Sequence, residues 1–167
     1  MRRRICLVGA ALSVCPLAFI AGNATAASTK SKAPVTKVAC ASKTSIMVAN
    51  GDTGVSPPVS QGSEYGPVQC GGTLGRGILS DSFTVPASGD TVAKYTMYFH
   101  TGTVHGTYDI TPQPGSLNFL ETDWTGTLKV LGGTGAYKAV TGTGTMTCKT
   151  LDGIHTTCTD KLKLKGA

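Results

Sequence analysis

Between Gly126 and Thr145 the chain reads GTLKVLGGTGAYKAVTGTGT, a pattern that fits little other than tightly connected β-structure. β-branched Thr127 and Val130, and then Thr141, Thr143 and Thr145 at every second position, suit pleated strands whose side chains point alternately to their two faces. Gly132, Gly133 and Gly135 stand between the two alternating runs and supply the permissive backbone of a sharp turn or bulge.

The same period of two assigns faces elsewhere. Leu79, Phe83 and Val85 share one side of a strand with Asp81. Ala93, Tyr95, Met97 and Phe99 oppose Lys94, Thr96, Tyr98 and His100. Val104, Tyr108 and Ile110 form the apolar set of the next strand, followed by Trp124, Leu128 and Val130, and finally by Leu162 and Leu164. One face buried and one solvated, with short Gly-containing links, implies an antiparallel barrel or sandwich. Gly102-Thr103 reads as a two-residue type II′ turn. That turn predicts Thr101 opposite Val104, His100 opposite His105, Met97 opposite Tyr108 and Tyr95 opposite Ile110, with the apolar faces in agreement.

Residues 1–26 read as a secretory signal. Arg2, Arg3 and Arg4 precede an apolar run from Ile5 to Ala21, and Ala24-Thr25-Ala26-Ala27 offers a cleavage site after Ala26. Ser13 and Pro16 interrupt the run, which is shorter than the ~20 residues of a membrane span. Val14 is too bulky before Cys15 for a lipidation site, and Arg3-Arg4-Ile5-Cys6-Leu7 fits a twin-arginine signal only loosely. The expectation is export to the medium or the cell envelope, with no membrane span once the signal is removed. Positions 27–36 read as a mobile leader. Positions 37–167 read as one domain, with a long loop at about 52–67 where Gly54, Pro57, Pro58, Gly62 and Gly66 cluster. Three of the fifteen basic residues leave with the signal, so twelve remain against nine acidic residues, a balance of +3. Lysines so scattered do not indicate a nucleic-acid partner. Lys161, Lys163 and Lys165 alternate with Leu162 and Leu164 as the wet face of a terminal strand.

Cys40, Cys70, Cys148 and Cys158 remain after the signal, and an even count in an exported chain favours disulfides. Three pairings are possible, and spacing does not choose between them. Cys148 and Cys158 flank the turn signal Asp152-Gly153 and share a face, so they can meet across one hairpin. Cys40 with Cys70 would then tie the N-terminal segment across the long loop. A four-thiolate zinc site competes, without any C-x-x-C spacing to support it.

Three stretches resemble the core strands of allene-oxide-cyclase-like barrels, a barrel that dirigent proteins share. They are Gly106-Thr107-Tyr108-Asp109-Ile110, Asp123-Trp124-Thr125-Gly126-Thr127-Leu128 and Gly132-Gly133-Thr134-Gly135-Ala136-Tyr137-Lys138. The likeness covers about Gly102 to Thr147, and many exported bacterial proteins of unknown activity carry such a domain. It implies a single antiparallel eight-stranded barrel, often a homotrimer, with a mostly apolar cavity able to hold a small hydrophobic molecule. The fold expected is therefore all-β, a barrel with a disulfide-tied N-terminal extension. No catalytic residue of the family maps onto this chain.

Asp81 is the carboxylate on an otherwise apolar face, and burial there would disfavour its charged form. Tyr95, Met97, Tyr108 and Trp124 are the accompanying cavity candidates, although inward aromatic residues are more often plain core. His100 and His105, with His155 or Asp109 as a further ligand, form a candidate Zn²⁺ or Cu²⁺ site if they face each other; two solvated histidines beside a turn are the commoner case. No G-x-S-x-G, H-E-x-x-H or Cys-His pattern is present, and Gly132-Gly133-Thr134-Gly135 lacks the Lys-Ser/Thr ending of a phosphate loop. No cofactor is expected. The sequence supports a binding module for a small apolar molecule or a structural module. The alternatives are a cyclase-like or dirigent-like enzyme and an envelope module acting through its outer face, the last requiring a solid interior and an exposed apolar patch.

Overall fold

A computed structural model describes residues 34–50, 59–86, 88–115 and 121–167, apart from the side chains of 47–50 and 59–60. The signal over 1–26 and most of the leader lie outside the described residues. Eight strands follow in order: β1 (Val35–Asn50), β2 (Val59–Cys70), β3 (Arg76–Pro86), β4 (Thr91–Phe99), β5 (Gly102–Pro112), β6 (Thr122–Gly133), β7 (Thr141–Thr150) and β8 (His155–Lys165). Each pairs antiparallel with the next, and β8 pairs back with β1, which closes the sheet into a barrel without an edge.

The alternation read from sequence is the alternation of the wall. β4 is buried at Thr91, Ala93, Tyr95, Met97 and Phe99, and β8 at Thr156, Cys158, Asp160, Leu162 and Leu164. Disulfides join Cys40 to Cys70 and Cys148 to Cys158, with Cα atoms 4.0 and 4.1 Å apart. Both are direct cross-strand pairs of neighbouring strands. The segment tied by Cys40 and Cys70 is thus the first hairpin of the barrel itself.

Two expectations are corrected. Residues 59–67 are not loop but belong to β2, paired with β3 from Val59↔Pro86 to Gln69↔Arg76. Their Gly and Pro are loop-like in composition for a local reason. The ladder to β1 skips Lys43 and Thr44, and a Cβ at Gly66 would collide with the Lys43 carbonyl oxygen. Pro67, which cannot donate, lies at that gap. The second correction concerns the hairpin of β4 and β5. It pairs Phe99 with Gly102, Thr96 with His105 and Ala93 with Tyr108, so the two-residue turn is His100-Thr101. Agreement of apolar faces tests only whether a register is odd or even, and a slip of two residues on each strand passes that test.

The two ends of the barrel differ. At one end the β6–β7 connection folds into a short 3₁₀ turn over Gly135–Tyr137, entered through Gly135 at φ 58°. Tyr137 plugs this end. Its hydroxyl accepts from Thr101 Oγ1 at 2.8 Å and donates to the Thr73 carbonyl at 3.2 Å, and its ring meets Phe99 edge-on at 5.6 Å. Inward side chains near this plug are apolar, Val104, Val130, Val140 and Leu164 among them. Toward the other end, where Asp152 and Gly153 turn β7 into β8, the inward set includes Thr44, Thr91, Thr122, Thr150 and Thr156.

Candidate functional site

Where the apolar and polar halves of the interior meet, three carboxylates point inward: Glu64, Asp81 and Asp160. Parity puts them there, because each shares a strand face with buried neighbours: Val68 for Glu64, Leu79 for Asp81, Cys158 and Leu162 for Asp160. Glu64 and Asp81 are cross-strand partners, and Tyr95 is the partner of Asp81 on its other side. Tyr108 donates to Asp81 Oδ2 at 3.1 Å, and Thr44 donates to Glu64 Oε2 at 2.7 Å. Tyr95 stacks on Tyr108 with ring centroids 6.4 Å apart and donates to the Lys129 carbonyl at 3.3 Å. Asp81 Oδ1, Asp160 Oδ1 and Ser42 Oγ are buried with no partner among the described residues.

Burial governs the electrostatics. Desolvation raises Glu64, and desolvation followed by the neighbouring Glu64 charge raises Asp81. The two carboxyls lie within hydrogen-bonding reach, so they titrate as a pair rather than independently. Asp160 is pushed up to about 7 by desolvation. Desolvation also pushes the hydroxyls of Tyr95 and Tyr108 further up, which leaves both as neutral donors.

Side chains fill the space beside this cluster. The cavity beside the cluster is about 10 Å³, lined by Leu79, Tyr95, Met97, Tyr108, Leu128, Met146 and Asp160; a larger, open hollow of about 420 Å³ lies away from it on β2, β3 and β4, among Gln61, Ser82, Thr84, Val92 and Lys94. Of the sequence candidates, Tyr95, Met97 and Tyr108 meet at this cavity, and Asp81 adjoins it through Tyr108. Trp124 is half-buried against the core, paired with Pro112 and Cys148, and does not line it. His100 and His105 are not brought face to face, since His100 lies in the turn and His105 pairs with Thr96. Among the described residues no group of three His, Cys, Asp or Glu side chains could hold a metal ion. The interior is less apolar than expected, because two of its three carboxylates escaped the sequence reading. Asp160 was accessible through its even parity with Cys158 and Leu162. Glu64 carried no such signal, because its strand resembles a loop.

The outer wall has two distinct faces. On β2, β3 and β4, Pro67, Ile78 and Tyr98 lie in one row, with Ile78 47% and Tyr98 52% exposed. Tyr65, 50% exposed, stands two residues away on β2. On β7, β8 and β1 the outward residues are Thr, Lys, Ala, Ser, His155 and Val35, with no carboxylate.

The chain is similar to the solved structure of the pterocarpan synthase dirigent protein GePTS1. The TM-score is 0.50 at 12% identity, covering 81% of this chain and 87% of that one. The barrel is thus of dirigent type, a likeness of fold. No family model and no curated protein matches the chain.

Proposed function

We propose that the protein is an exported, disulfide-stabilised interaction module that works through the outer wall of its barrel. The observation that carries this reading is the filled interior. A cavity of about 10 Å³ has room for about one water molecule, whereas small-molecule sites run to roughly 300–1,000 Å³. The wall, by contrast, offers a contiguous apolar stripe along Pro67, Ile78, Tyr98 and Tyr65, the kind of surface that marks association. A second copy of the chain is the occupant assigned to that stripe, in keeping with the homotrimer the barrel resemblance implies. Light scattering should then give an oligomer for the native chain and a monomer of unchanged circular dichroism for Ile78→Asp. A native chain that is monomeric at high concentration would remove self-association from the proposal.

A second reading is favoured by one observation: buried acceptors on Asp81 and Asp160 with no partner among the described residues. In a dirigent-like role they would receive the hydroxyls of a phenolic molecule, with Tyr108 holding Asp81 in place. Met97 and Met146, both unbranched, would have to swing aside to admit it. Thermal shift with a panel of apolar and phenolic compounds separates the readings. The outer-wall reading expects no rise in Tm at millimolar ligand. A rise of several degrees that Asp81→Asn abolishes would overturn it in favour of the cavity.

A further inference from the structure

The outward side chains of neighbouring strands form a single row across half the barrel. Lys129 on β6 pairs with Thr143 on β7, Thr143 with Lys163 on β8, and Lys163 with Lys37 on β1. All four are exposed. Adjacent strands are about 4.8 Å apart, so Lys129 and Lys163 stand about 9.5 Å apart at the backbone, with the Thr143 hydroxyl between them. Lys161 and Lys165 flank Lys163 along β8 at about 6.7 Å on either side, and each pairs with a further outward threonine, Thr145 and Thr141. None of these five lysines makes an ion pair among the described residues.

Charge sorting strengthens the field of this face. β1, β7 and β8 have no outward carboxylate, and the acidic residue on β8, Asp160, points into the barrel. Glu64 and Asp81 are also withdrawn from the surface. The wall therefore carries more positive charge than the formal balance of the chain suggests, and it is concentrated on one side.

We propose that this Lys–Thr face binds an acidic polysaccharide bearing one anionic group per disaccharide. The inference rests on the outer-wall reading above and names the partner of a second face. Lys129 and Lys163, two strand spacings apart with the Thr143 hydroxyl between, match a chain in which a carboxylate-bearing sugar alternates with a neutral, hydroxyl-rich one, while Lys37, one spacing beyond Lys163, adds a second cation at that end of the row. The flexible stems of lysine adjust the reach of each ammonium group. A nucleic-acid strand fits less well. The row carries no aromatic side chain on which bases could stack.

The test is the affinity of the full chain for hyaluronan fragments, with neutral dextran and a thymidine oligonucleotide as the other arms. Hyaluronan should bind measurably at low salt, weaken as salt rises, and exceed both other polymers. Lys129→Gln combined with Lys163→Gln should weaken it at least about 10-fold and flatten the salt dependence. Thr143→Val should weaken it several-fold while leaving the salt dependence as it was. Arg76→Gln, outside the row, should change nothing. Binding of dextran equal to that of hyaluronan, tighter binding of the oligonucleotide, or indifference to the Lys129 and Lys163 changes would each overturn the proposal. None of these results would bear on the filled interior, which the ligand panel tests separately.

Discussion

The melting temperature should fall by about 10 °C as pH is raised from about 5 to about 8.5, the reverse of ordinary acid denaturation. The cause is the inward carboxylates. An exposed Asp or Glu in the unfolded chain releases its proton near pH 4, whereas Asp160 holds its proton to about 7, and Asp81 and Glu64 are raised as well. A carboxyl whose folded value lies above its unfolded value contributes stability that is fully present below the unfolded value. That stability is lost as pH rises through the folded value. Each pH unit of difference is worth about 1.4 kcal/mol, so the three groups together should contribute at least about 3 kcal/mol. Asp152, lowered by its bonds to the backbone and ring of His155, acts in the opposite direction but below this window. Asp160→Asn, which removes one titration without changing shape, should flatten the profile and raise Tm at about pH 8.5 while leaving it nearly unchanged at about pH 5. A Tm that rises with pH across this interval would show that the carboxylates are ionised and paired.

The second large effect concerns the disulfides. Cys40–Cys70 closes a loop with a sequence separation of 30 and Cys148–Cys158 one of 10. On the chain-entropy model these constrain the unfolded state by about 3.5 and about 3 kcal/mol. Together they are comparable to the total stability of many domains, about 5–15 kcal/mol. Cys40→Ala with Cys70→Ala should therefore lower the urea midpoint clearly, and removal of both bridges should leave a chain that is largely unfolded at 37 °C. The Cys40–Cys70 pair should matter more, for two reasons. It closes the longer loop, and it fastens β2, whose other holds on β1 are interrupted at Lys43 and Thr44. Equal and small effects of the two pairs would place the stability in the barrel packing instead.

Much of the wall was legible from the chain because a strand has a period of two. Tyr95, Met97, Leu128 and Leu162 point inward as their parity requires, and the paired cysteines share faces for the same reason. What parity does not carry is position along a ladder. The β4–β5 register differs from the expected one by two residues on each strand, which leaves every side chain on its proper face but moves the turn and changes every cross-strand partner. β2 was illegible for a different reason. Gly66 is a local accommodation to crowding against β1 and Pro67 lies at the gap in that ladder, both visible only once β1 is in place. Glu64 was lost with that strand, and with it the pairing that makes Asp81 part of a cluster rather than a lone acid. The outer Lys–Thr row is likewise a property of register: Lys129, Thr143, Lys163 and Lys37 are far apart in sequence and adjacent only across four strands.

The most direct measurement is a crystal structure of the protein grown with a saturating phenolic ligand, read for electron density between Asp81 and Asp160. The expected result is an interior still packed by Tyr95, Met97, Tyr108, Leu128 and Met146, with density in the cavity for no more than about one water molecule. Ligand density in that space, with Met97 and Met146 displaced, would contradict a protein that works through its outer wall and return the function to the barrel interior.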